Sequence, residues 1–164
     1  MTIIAMVISI IVSTVSLAYA YSQMGLGTLA IGMLLLGVAW LVAHWRKLYW
    51  FSSVALFVAI FAAGYGVWRE FPTAWMLLGA LGGLLGWDLS DFARRLRYAA
   101  PTDDVDDMER RHLARVGVVA GLGGALAYLS AVIQIHRLAF EVAVGLILLA
   151  VLGLTRLVVR LRRY

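Results

Sequence analysis

Four side chains in this sequence are spaced for chemistry, and they fall in two pairs. Asp88 and Asp91 stand three residues apart near the end of an apolar run, so a helix carries both on one face. A D-x-x-D pair of this kind can share a divalent cation, or one member can hold a proton because two adjacent charges repel. Asp88 falls about three residues inside the apolar span, roughly 4–5 Å below its end at about 1.5 Å rise per residue. A carboxylate at that depth is a candidate proton relay, cation ligand or helix-to-helix bond. Structural pairing competes with each of these roles. Asp91 can pair with Arg94 or Arg95 on its own helix, and Asp88 with Arg46, His44 or Arg115 from a neighbour.

Glu109 and His112 form the second pair, an E-x-x-H that presents two ligands on one helix face, as in di-metal carboxylate bundles. Those centres need two such helices and two further glutamates; this chain has one E-x-x-H, flanked by Arg110 and Arg111. Metal chemistry on a lipid or isoprenoid head group would therefore require Asp88, Asp91, Glu109 and His112 to converge. No phosphate-binding glycine loop accompanies them. The run Asp103, Asp104, Asp106, Asp107 lacks the glycine and the distal glutamate of a calcium loop and reads as the capped start of a helix. Glu141, after His136 and Arg137, likewise reads as a helix start. The chain has no cysteine, which excludes disulfides, iron–sulfur ligation and thiol catalysis. No resident cofactor is expected, a divalent cation being the single candidate.

The elements that must position these residues are apolar helices. With 63% hydrophobic and 14% charged residues and a mean hydropathy of +0.92, the chain is a membrane protein. Its net charge of +5 resides between apolar runs, where cations orient a chain in the bilayer. No basic, aromatic-bearing face suits nucleic acid. Hydropathy predicts an all-α transmembrane bundle of six helices in a single domain, at about 2–21, 25–45, 48–68, 72–96, 104–135 and 139–160, with a cytoplasmic loop at about 97–103. Ala18-Tyr19-Ala20 resembles a signal-peptidase site, but no Lys or Arg precedes the first apolar run, so this helix is expected to be retained.

Small residues dominate the predicted contacts. Ser9 and Ser13 lie on a stripe with Ala5, Ser16 and Ala20; Gly79/Gly83 and Gly82/Gly86 form two overlapping G-x-x-x-G pairs; Gly117, Gly121 and Gly124 line one face of the fifth helix. Such spacing permits the close crossing of helices that have no hydrophobic force between them in lipid. Placing both termini in the cytoplasm puts Arg46, Lys47, Arg94, Arg95, Arg97, Arg110, Arg111, Arg115, Arg156, Arg160, Arg162 and Arg163 inside, twelve of the fourteen cations. Only Arg69 and Arg137 fall outside.

The helices are rich in packing devices and carry no ionisable residue near their midpoints, where ion and proton carriers commonly place one. The expectation is a multi-pass, non-enzymatic protein of the cell membrane, partnered by lipid and by other membrane subunits or itself. The alternatives are a small cation- or proton-coupled transporter using Asp88 and Asp91, and the metal-dependent lipid enzyme described above.

Overall fold

The computed structural model describes residues 1–96 and 105–132. Met1–Leu129 forms one unit and Ser130–Tyr164 a second, of which only the helical backbone of 130–132 is described. The elements are α1 (Thr2–Gln23), α2 (Gly27–Trp45), α3 (Trp50–Trp68), α4 (Thr73–Leu96) and α5 (Val105–Val132). Every described element is helical. Four of the helices are long and apolar enough to cross a membrane, namely α1, α2, α3 and the stretch Asp106–Leu129 of α5. α4 is as long but less apolar, because Gly79, Gly82, Gly83 and Gly86 add almost no hydrophobic surface and Asp88 and Asp91 subtract from it. The helix expected at 139–160, the loop at 97–103, the capping role of Asp103 and Asp104, and the helix start at His136, Arg137 and Glu141 all lie outside the described residues.

One local device ends the first three helices. The residues Gly25, Lys47 and Glu70 have φ of 75°, 61° and 61°. In each case the following amide reaches back five residues: Leu26 donates to the Tyr21 carbonyl at 3.0 Å, Leu48 to Ala43 at 2.8 Å, and Phe71 to Gly66 at 2.9 Å. The left-handed residue itself donates three residues back, to Ser22, His44 and Val67 respectively. This paired pattern satisfies carbonyls that a helix end otherwise leaves open. It reverses the chain within a few residues and makes successive helices antiparallel. Pro72, just ahead of α4, has no N–H to leave unsatisfied there.

α1 is the centre of the bundle, packing most extensively on α4 and then on α2, while α3 closes against α4. The small residues explain the closeness. A Cβ built on Gly82 would lie 2.8 Å from the Ser13 amide nitrogen and 2.9 Å from the Ser9 carbonyl, so backbone touches backbone. On Gly79 it would meet Leu17 at 2.6 Å, and on Gly86 it would meet Ile10 at 2.9 Å. A Cβ built on Gly83 would meet only side-chain atoms, the Ser13 hydroxyl at a tight 3.3 Å and the Ala59 Cβ at 3.4 Å. The serines divide their roles: Ser9 donates to Ala5 on its own helix, whereas the buried Ser13 hydroxyl donates across to the Gly79 carbonyl at 2.7 Å. Tyr21 joins α1 to α3 through a 2.9 Å bond to the Ala62 carbonyl, and Trp40 joins α2 to α3 through Ser52 at 3.1 Å.

α5 is packed differently. In the most apolar stretch of α1, 44% of residues are buried; in that of α5 the share is 6%. Gly124 rests on Leu81, whose Cδ1 would lie 2.7 Å from an added Cβ, but Gly117 and Gly121 meet no atom within 4 Å among the described residues.

Candidate functional site

α4 and α5 bring their polar ends together at the end of the bundle where α1 begins. The α-amino group of Met1 lies 2.9 Å from Glu109 Oε2. One turn along α5, His112 Nε2 lies 2.8 Å from Asp88 Oδ2, the ring nitrogen donating to the carboxylate. Phe92, four residues beyond Asp88 and so on the same face of α4, supports the imidazole from below. The two rings are stacked, with centroids 3.8 Å apart and planes 9° apart. This clamp fixes the plane of the imidazole while Asp88 fixes its direction.

The sequence candidates are thus split between two locations. Asp91 is held on its own helix by Arg94 and by Arg95, the latter at 2.8 Å. It faces a polar pocket that Tyr49, Trp50, Ser53 and Ser90 also line. Asp88 turns toward α5 and finds His112, not Arg46 or His44. Among the described residues no three His, Asp or Glu side chains come together where a metal ion could be held. The four-residue centre required for metal-assisted chemistry is therefore not assembled there: Asp91 is occupied by arginines and Glu109 by the amino group of Met1.

Asp88 and His112 form the polar head of an otherwise apolar cavity of about 560 Å³ between α4 and α5. Leu81, Leu84 and Leu85 form its α4 wall, Val116, Val119 and Ala120 its α5 wall, and Trp87 and Arg115 flank the head. The Trp87 indole N–H donates to Ser53 at 3.2 Å, which holds the ring beside the opening. A second cavity, of about 370 Å³, lies beside Gly117 and Gly121 and is backed by Ser9, Gly82 and Leu78. Leu81 and Leu85 of α4 and Ala120 of α5 border both cavities and so form the partition between them.

Phe92 is the residue that spacing alone did not single out. Its position four residues after Asp88 was the available signal, since that interval stacks side chains on one helix face. The partnership of Asp88 with His112 had no comparable local signal. Comparisons with protein-family models, curated proteins and solved structures show no match to this chain.

Proposed function

We propose that this protein is a non-catalytic subunit of the cell membrane, with six spanning helices and both termini cytoplasmic, that assembles with other membrane proteins or with itself through α5. The observation that carries this reading is the glycine face of α5. Each glycine within a helix costs roughly 0.5–1 kcal/mol relative to alanine, a cost offset where a second helix approaches closely. On α4 the glycines meet α1; on α5, Gly117 and Gly121 meet nothing within 4 Å among the described residues. The orientation is supported by the distribution of cations and by the meeting of Met1, Glu109, Asp88 and His112 at one end of the bundle.

The test is the mass of the particle released from native membranes into nanodiscs. The expected result is a defined hetero-complex or homo-oligomer that Gly121→Leu dissociates while α1 to α4 stay folded. A wild-type protein that emerges as a lone monomer overturns the reading.

A second reading is favoured by the position of the Asp88–His112 pair at the mouth of an apolar cavity. Proton-coupled transport would use that pair as its exchanging site. Asp88→Asn, which keeps the shape and removes the charge, should then abolish proton flux in liposomes without loss of helicity. Unchanged flux, or none in the wild type, removes this alternative.

A further inference from the structure

We propose that the groove between α4 and α5 holds an acyl chain of an acidic phospholipid whose phosphate rests on Arg115. This inference is independent of the subunit reading. Three observations carry it. First, the groove is polar at one end only: Arg115 and the Asp88–His112 pair form its head with Trp87 beside them, and leucine, valine, alanine and Gly123 line the rest. That polarity suits an amphiphile.

Second, the charges at the head are unequal in their commitments. Asp88 is bonded by His112, while Arg94, Arg95 and Arg111 each have a carboxylate partner. Arg115 lines the groove and is exposed, with no carboxylate partner among the described residues. A guanidinium presents a fork that matches phosphate oxygens, so the vacant charge selects an anionic head.

Third, the dimensions fit one leaflet. From His112 to Gly123 the groove follows eleven residues of α5, roughly 16 Å at about 1.5 Å per residue. Half of a hydrocarbon core of about 30 Å is nearly the same depth. Gly123 leaves the deep end open, since a Cβ built there meets nothing within 4 Å.

The experiment uses the full chain in nanodiscs containing phosphatidylcholine or phosphatidylglycerol with brominated acyl chains, which quench tryptophan on contact. Trp87 borders the groove, and its share of the emission is the difference between the wild type and Trp87→Phe. One arginine near the surface supports a preference of about fivefold for acidic lipid. Trp87 should therefore reach half-maximal quenching at about one-fifth the mole fraction of phosphatidylglycerol as of phosphatidylcholine. Arg115→Gln should abolish that preference. Gly123→Leu, which fits the open space without disturbing the core, should reduce quenching by both lipids. Equal quenching by the two lipids in the wild type overturns the proposal, as does a preference that survives Arg115→Gln. Absence of quenching by either lipid also overturns it, because the groove is then closed to lipid. Gly123→Leu quenched as strongly as the wild type is a further contrary result.

Discussion

His112 and Asp88 meet at 2.8 Å across the α4–α5 interface although 24 residues separate them, and the imidazole lies flat on Phe92. Beyond this clamp, α5 meets the rest of the described bundle through the Met1–Glu109 contact, Leu113 packed against the cluster of Met6, Ile10, Trp40 and Leu89, and the seat of Gly124 on Leu81, and most of its apolar stretch is exposed. The clamp should therefore govern the docking of α5. His112→Ala is expected to cost about 1–2 kcal/mol, as a bond to a charged group plus a lost ring contact, with a coupling to Asp88→Ala of about 1 kcal/mol. Hydrogen exchange over residues 105–116 is the readout. Unchanged protection there in His112→Ala would show that other contacts hold the helix.

Gly82 and Gly83 are adjacent in sequence but differ in clearance. Gly82→Ala forces backbone against backbone and should destabilise the bundle by about 1–3 kcal/mol. Gly83→Ala meets side-chain atoms at 3.3–3.4 Å and should be tolerated far better. Unfolding of the two variants in mixed micelles measures the difference, and equal losses would contradict the close approach of α1 and α4 at Gly82.

Lys47 and Glu70 adopt the left-handed conformation that Gly25 adopts in the preceding turn. A side chain in that conformation costs roughly 1–2 kcal/mol. Lys47→Gly and Glu70→Gly should each raise stability by a substantial fraction of that, and Gly25→Ala should lower it. Thermal unfolding of the three variants is sufficient; a loss on Lys47→Gly would mean that its side chain makes a contact worth more than the strain.

Tyr21 combines a buried hydroxyl bond to Ala62 with an edge-on contact to Phe71, ring centroids 5.2 Å apart. Tyr21→Phe removes only the hydroxyl and should cost about 0.5–1.5 kcal/mol. Tyr21→Ala removes the ring as well and should cost about 3–5 kcal/mol. A double-mutant cycle with Phe71→Leu separates the two contributions, and a Tyr21→Phe variant as stable as the wild type would show that the bond is neutral.

The five described helices and the turns joining the first four were legible in the sequence, because each depends on local interactions along the chain. An uninterrupted apolar run must satisfy its own backbone in lipid, and Gly25-Leu26-Gly27 or Arg69-Glu70-Phe71-Pro72 interrupts it locally. Boundaries differ from the hydropathy reading by two residues or fewer at most ends; α3 begins at Trp50 instead of about 48 because the left-handed Lys47 and the bond from Leu48 belong to the end of α2. The pairing of Asp91 with Arg94 and Arg95 was legible for the same reason, since all three share one helix.

The glycine faces of α4 and α5 have similar spacing, and nothing local distinguishes them. Tertiary structure seats Gly79, Gly82 and Gly86 on α1 and leaves Gly117 and Gly121 beside a cavity. It likewise brought His112, and not His44, Arg46 or Arg115, to Asp88. Sequence by itself determined helices long and apolar enough to cross a membrane, and which carboxylates stand near their ends. Which cation each carboxylate meets depends on how whole helices rotate and cross, and that is decided by the sum of contacts across the bundle.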